Sequence, residues 1–326
     1  YFGGGHYFSA SQIEVYHQCH FKYFCRYGLG AKERRPAEID ALEYGSLMHY
    51  LFEQILGSAE DIQALHLYAD DLKARVHTSI MDYVRENMGG YDALSPREKY
   101  RLYRMEQTAV KLIAHMSEEM MHSLFRPEHF ELELKNGTPY PPLRIPTKNG
   151  LVTVGGIIDR VDLYKDENGT TYVRVVDYKT GSLIEADADS YYTGRRLQLQ
   201  LYMSAVSAYA KPAGAYYFPA RISFARQGED YPFRMQGFSL ADEEAVKMSD
   251  VALEKGGKSR FVNATLGRNS DKQMNGDDFE AFIDYSRLAA LGCAREIEKG
   301  CIAPSPYGGV CEYCPYGGVC GADAKK

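Results

Sequence analysis

Residues 155–181, GGIIDRVDLYKDENGTTYVRVVDYKTG, decide how the rest of the chain is read. Two apolar runs, the first ending at Asp159 and the second at Asp177 and Lys179, flank a polar turn of Asp166, Glu167, Asn168 and Gly169. That is the pattern of a β-hairpin. Side chains alternate along a strand, so Asp177 and Lys179 point the same way, about 6.6 Å apart. Asp159 on the partner strand can face them. Asp162, three residues further on, is expected on the opposite face, in solvent. Carboxylates gathered on one sheet face repel unless a cation lies between them, and hard divalent cations take oxygen ligands. A lysine beside such a cation stands near a phosphate or an attacking water, the layout of metal-dependent phosphodiester cleavage. The bland alternative is an exposed hairpin with ordinary surface charges, and the flanking segments decide between the two.

Upstream, Gly45-Ser46-Leu47-Met48-His49 runs on into YLFEQIL. Leu47, Leu51 and Ile55 form an apolar stripe, so this is a helix. His49 and Glu53 share a face, and Glu53 reads as a residue that orients the imidazole. An imidazole beside two carboxylates suits Mn²⁺ better than Mg²⁺, though both fit. Downstream, Arg195 opens a helix that runs to Pro212, with Gln198 and Tyr202 on one face. Arg195 and Arg196 at its start are placed to meet phosphates.

The remaining segments carry less chemistry. Residues 61–123 read as a charged helical insertion, broken at Gly89-Gly90 and restarted at Ser95-Pro96, with proline at the first helical position. FELELK (130–135) alternates as a strand, with Glu131 and Glu133 on a solvated face opposite Phe130, Leu132 and Leu134. Ala213 to Ser223 reads as an internal strand with Pro219 near an edge. Residues 224–275 read as polar loop with basic residues at Arg226, Lys255, Lys258, Arg260 and Arg268, and Asp277 to Glu298 as a helix.

Near the end, Cys311, Cys314 and Cys320 give C-x2-C-x5-C. Two thiols three residues apart chelate one centre from a tight turn. Zinc and an iron–sulfur cluster both take four thiolates, so the fourth comes from Cys19, Cys25, Cys293 or Cys301. Cys19 falls in FSASQIEVYHQCHFKYFCRYGL (8–29), which reads as a helix capped by Ser9 or Ser11, with Glu14 three residues after Ser11. Cys25 is expected to point elsewhere and to be structural.

The 326-residue chain carries a net charge of −6. That argues against a protein whose main task is coating nucleic acid, because bulk affinity for phosphates comes from Lys and Arg. A nuclease with an acidic metal site is not excluded. Seven cysteines without a secretory signal suggest a reducing compartment, with the cytoplasm expected. No apolar run approaches the roughly 20 residues that span a bilayer. A start at Tyr1 rather than Met reads as a piece of a longer chain.

Together, G-G-I-I-D-R-V-D, the strand ending D-Y-K, G-x-x-x-H before it, Q-x-x-x-Y after it and the split cysteines resemble the PD-(D/E)xK nuclease superfamily in its RecB-like branch. The similarity is strongest to the nuclease domains of AddB-type helicase–nuclease subunits, and it runs from Phe8 to Cys320. His20 stands where that family has proline. The resemblance implies an α/β fold, a restriction-endonuclease-like core whose central mixed sheet is flanked by helices. Residues 1–326 would form a single domain, with 61–123 inserted and an iron–sulfur staple joining 1–29 to 301–326. It implies one or two divalent ions, Mg²⁺ or Mn²⁺, on His49, Asp159, Asp177 and the carbonyl of Tyr178. Catalysis would involve Asp159, Asp177, Lys179, Gln198 and Tyr202. A [4Fe–4S] cluster would sit on Cys19, Cys311, Cys314 and Cys320. The implied activity is a DNA exonuclease of double-strand-break repair, acting on single-stranded ends fed by a helicase and working beside a partner subunit. Nucleases of CRISPR adaptation share the split cysteines. A non-catalytic module that grips DNA or docks onto a helicase is the other alternative, and the complete set Asp159, Asp177, Lys179 argues against it.

Overall fold

The computed structural model describes residues 6–31, 41–147, 150–181, 188–221, 233–267 and 272–322. Arg226 and Arg268 lie outside these. The elements are β1 (His6–Ser9), α1 (Ala10–Gln18), α2 (His20–Tyr23), α3 (Ala41–Gly57), α4 (Ala69–Asn87), α5 (Pro96–His122), β2 (Arg126–Leu134), β3 (Leu143–Thr147), β4 (Gly150–Lys165) and β5 (Thr171–Lys179). They continue with α6 (Ala188–Tyr192), α7 (Gln198–Val206), β6 (Lys211–Pro219), β7 (Gln236–Leu240), α8 (Glu243–Ser249), β8 (Gln273–Met274), α9 (Gly276–Glu298) and α10 (Gly317–Cys320). No helix among the described residues is long and apolar enough to cross a membrane.

The expected hairpin is β4–β5. Its strands pair antiparallel from Arg160 opposite Val176 to Lys165 opposite Thr171. Asp166 closes the turn, its carboxylate accepting the N–H groups of Asn168 and Thr170 while Gly169 supplies the positive φ of +85°. α7 carries the chain over to β6, which lies parallel to β5; β7 then adds antiparallel and β8 parallel. The sheet is therefore mixed. β4 is long enough to serve twice. Its first part pairs with β1 and β3, its second with β2 and β5. Between the two parts Gly156 has φ +153°, and a Cβ there would meet the Tyr202 hydroxyl at 2.9 Å. Glycine at this bend lets α7 lie close on the sheet.

One face of the sheet builds a core with α1, α7 and α9, through residues such as Ile13, Val154, Val175, Leu199 and Ala290. The other face packs against α3, α4 and α5, through Leu51, Phe52, Ile113, Met116, Val176 and Phe218. α5 starts as the sequence suggests, at Ser95 with a capping box to Glu98 and Pro96 in the first turn. It covers the sheet directly, and this overturns one expectation. Asp162 does point away from Asp159, but it is 0% exposed rather than solvated. Under α5 it bonds Arg160 Nε at 3.1 Å and Arg174 Nε at 2.6 Å. Both guanidiniums also reach Glu119 of α5, at 3.1 and 2.6 Å.

Alternation fails at one row. Leu132 and Ile158, opposite one another, lie in the first core; Phe130 packs against the second core, and its partner Arg160 faces α5. Between them Glu131 has φ +48°, a left-handed conformation rare for a non-glycine residue. Phe130, Leu132 and Leu134 thus do not share one face. Other expectations also shift. Residues 224–275 contain β7, α8 and β8. β6 lies between β5 and β7, but its pairing with β7 ends at Tyr217, so Pro219 pairs only with Lys179 of β5, as its expected place at an edge requires. The helix expected from Arg195 begins at Gln198. The capping box of α1 is Ser9 with Gln12, not Ser11 with Glu14.

Candidate active site

Register brings three acids into line. Asp159 lies between the pairs Phe130–Arg160 and Leu132–Ile158, hence across from Glu131. It also lies one step beyond the pair Arg160–Val176, hence across from Asp177. Three carboxylates on adjacent strands repel one another unless positive charge is placed among them. His49 arrives from α3. Gly45, one turn before it, has Thr180 Oγ1 3.3 Å from where a Cβ would sit, so the missing side chain lets the helix approach the end of β5. His49 Nδ1 lies 3.1 Å from Glu131 Oε1 and 3.4 Å from Asp159 Oδ1. Ligand atoms of His49, Glu131 and Asp159 all fall within 4.8 Å of one another.

Sequence reasoning misses Glu131 because an ideal strand groups it with Glu133, which instead ion-pairs with Lys135 in solvent. Nothing in FELELK announces the left-handed residue. Glu53, expected to orient His49, is not its partner: the imidazole bonds Glu131 and Asp159. Burial and the charge of Glu131 raise the Glu53 carboxyl.

From the α7 side, Lys179 Nζ pairs with Asp177 and donates to Gln198 Oε1 at 2.7 Å. Gln198 Nε2 donates to the Tyr202 hydroxyl at 3.4 Å. The Tyr202 ring is 5% exposed against Gly156, so it offers this hydroxyl and no face for a base. Tyr178 contributes its backbone N–H to Asp159 Oδ2, while its ring packs with Phe52 and His49. Glu14 of α1, which the sequence places in a capping box with Ser11, instead accepts the N–H groups of Leu197 and Gln198 at 2.7 and 2.9 Å. It caps the start of α7 from another helix and so fixes Gln198.

The electrostatics are those of a cage built for a cation. Burial alone would lower the His49 imidazole, but its bonds to Asp159 and Glu131 and their charges outweigh this and push it up to about 10. Protonated, the imidazole sets positive charge between Asp159 and Glu131. Burial and the charge of Asp159 push Asp177 up to about 7, against the opposing pull of Lys179 and His49. Burial also acts to lower Lys179, yet Asp177 dominates and raises it.

Far from the acids in sequence, Cys19, Cys311, Cys314 and Cys320 line a single cleft with Phe21, Lys22 and Pro306. Cys19 is not inside a helix. It is the extended residue between α1 and α2, with φ −171° and ψ 125°. Cys25, expected to point elsewhere, is buried close by: burial and then the charges of Cys320, Cys314 and Cys19 raise its thiol. Cys293 is buried in α9 and Cys301 follows that helix.

Residues 7–321 match the family described as the PD-(D/E)XK nuclease superfamily. Proteins named as the B subunit of an ATP-dependent helicase/deoxyribonuclease are similar along most of the chain. The one from Caldanaerobacter subterraneus subsp. tengcongensis is 30% identical, over 94% of this chain and 29% of its own length. That of Acetivibrio thermocellus is 30% identical over 94% and 29%, and that of Clostridium tetani 27% over 92% and 28%. The chain therefore spans under a third of the length of these relatives.

Proposed function

Because the chain belongs to the PD-(D/E)XK nuclease superfamily, we propose that it is the deoxyribonuclease domain of a helicase–nuclease, cleaving DNA strands with a divalent cation. The observation that carries this is the gathering of His49, Glu131 and Asp159 within 4.8 Å, with the Lys179–Asp177 pair on the adjoining strand. A mixed imidazole and carboxylate set fits Mg²⁺ or Mn²⁺. Asp177, like-charged and across from Asp159, completes the set, and the Tyr178 carbonyl at the same strand end is a further oxygen donor.

When bound, the cation supplies an activated water and offsets the charge that grows on the phosphate. The chain's own residues do the rest. Lys179, held by Gln198 and Asp177, presents its ammonium to a phosphate oxygen and favours the transition state over the ground state. Tyr202 and Glu14 keep Gln198, and through it Lys179, in place. The substrate is DNA, with single-stranded ends supplied by the helicase activity that the relatives' names record. The setting is exonucleolytic processing of broken DNA beside a partner subunit, in the cytoplasm.

The four-cysteine cleft adds a cofactor to the proposal. Zinc and a [4Fe–4S] cluster both take four thiolates, and the split set of Cys19 with Cys311, Cys314 and Cys320, which line one cleft, is the set that the resemblance to RecB-like nucleases assigns to a cluster. Cys19 would then tie the first helices to the tail.

Incubating the protein with single-stranded DNA and Mg²⁺ or Mn²⁺ tests the enzyme. Cleavage should stop with a chelator and in Asp177→Ala. Full cleavage by that variant, with contaminating nuclease excluded, defeats the assignment. Metal content tests the cofactor: brown protein containing iron is expected, and colourless protein containing zinc overturns it.

A further inference from the structure

On the α7 side of the acids lies a hollow of about 300 Å³ bounded by Gln18, Ser190, Arg195, Arg196, Tyr307 and Gly308. The sequence points to its two arginines as phosphate contacts, and the structure separates their roles. Both are fixed by a turn rather than carried on a helix. Their N–H groups donate to the Ser190 carbonyl, at 3.0 and 3.1 Å, as the chain leaves α6. Gly194 makes the turn with φ +75°, and the His17 ring stands 2.6 Å from where a Cβ would be, so no other residue fits.

Arg195 is committed. It donates to Asp189 at 2.6 Å and to Thr193 at 2.9 Å, and its guanidinium lies 4.2 Å above the Tyr307 ring. The Tyr307 hydroxyl donates to the same Asp189, and its N–H to Gln18 O. Arg195, Asp189 and Tyr307 therefore form a neutral, pre-stacked platform. Arg196 differs. It is half-buried, and among the described residues its guanidinium has no hydrogen-bond or ion-pair partner. Its charge acts to lower Glu14 and Tyr217, and Lys179 meets the same two groups. Lys179 also acts to lower Glu14, and its Nζ lies 5.2 Å from the centre of the Tyr217 ring. Arg196 and Lys179 thus adjoin a common pair of residues, while the Glu14 carboxylate is already taken by two backbone N–H groups.

We infer that this hollow is a nucleotide subsite neighbouring the cleavage site: Arg196 holds a phosphate of the DNA strand, and the Arg195–Tyr307 stack supports its base. A guanidinium fork matches a phosphate, and a flat stacked surface accepts any base. The protein has a net charge of −6 and a row of acids at its site, so a polyanion needs a local cation to bring it in. The subsite rests on the nuclease assignment above, and its test separates the two.

The experiment measures binding of a short fluorescent oligothymidylate to the full chain with Ca²⁺, across a salt series, and cleavage with Mg²⁺. In Arg196→Gln the dissociation constant should rise about tenfold. The slope of log affinity against log salt should shrink by about 0.7, one phosphate on a single strand. The loss should appear in KM rather than kcat, and Arg196→Lys should restore part of it. Tyr307→Leu should weaken binding about fivefold or more without changing the salt slope. Unchanged affinity and slope in a folded Arg196→Gln, in a protein that cleaves normally, overturns the subsite alone. A wild-type protein that neither binds nor cleaves overturns the nuclease assignment and the subsite with it.

Discussion

Strands β4 and β5 carry two charge groups that meet opposite fates. Under α5, Glu119 and Asp162 face Arg160 and Arg174, two acids against two guanidiniums, all 0–3% exposed. Where the pairing of the same strands ends, Glu131, Asp159 and Asp177 have, among the described residues, His49 and Lys179 as their ion-pair partners. The first group cancels within the protein and holds α5 to the sheet. The second retains excess negative charge, stands partly open to solvent through His49, Glu131 and Lys179, and keeps Glu131 in a left-handed backbone. Backbone strain and uncompensated charge cluster at functional sites, and the second group combines both. Burial of charge therefore does not mark a site; incomplete neutralisation does.

The sharpest break of this comparison is Asp177→Asn. Cleavage should fall by roughly 10³-fold. Stability should hold or rise, because the replaced carboxyl is pushed up to about 7 by burial and by Asp159. Activity and thermal melting measured on one preparation decide it. A large drop in melting temperature would move Asp177 into the structural class. The converse is Arg174→Met, which leaves Glu119 and Asp162 buried against one guanidinium. Stability should drop by about 3–5 kcal/mol in denaturant unfolding. Replacing Asp162 together with Arg174 by apolar residues of similar volume should recover most of that loss.

Acid titration sharpens the comparison at smaller scale. Burial acts to raise Glu119, but Arg174 and Arg160 outweigh it and hold the carboxyl below the usual range. A folded-state value below the unfolded one means the unfolded chain binds the proton more readily. This contribution is therefore complete above the unfolded value of 4.5 and is lost as pH falls through the lower folded value. Stability measured downward from pH 5 should decline more steeply in the wild type than in Glu119→Gln. Equal slopes would remove Glu119 from the network.

What can be read in the sequence follows the same division. The hairpin, D-Y-K, G-x-x-x-H and Q-x-x-x-Y are legible because each needs only local spacing, and Lys179 does meet Gln198. Asp162 is misplaced because the groups around it, Glu119 and Arg174, come from segments 43 residues before it and 12 after it, and a charged residue is solvated by default. Glu14 is read as a local cap because its actual partner, the start of α7, lies 183 positions away. β7, α8 and β8 go unread because each is short and their burial comes from neighbours. Glu131 escapes because period-two alternation assumes an unbroken strand.

That last residue offers the smallest and most discriminating test. A non-glycine residue at φ +48° costs on the order of 1 kcal/mol or more. Glu131→Gly removes both the strain and the ligand; Glu131→Gln removes the charge and keeps the strain. If the acid row is shaped for a cation, both variants should need about tenfold more metal for half-maximal cleavage. Only the glycine variant should gain stability, by about 1 kcal/mol at most, since glycine also costs chain entropy. No substitution in the Arg160–Arg174 group should show that pairing, because nothing there is strained to hold a ligand. If Glu131→Gly instead lost stability along with metal affinity, Glu131 would be holding β2 to β4, and the contrast between the two charge groups would collapse at its most exposed member.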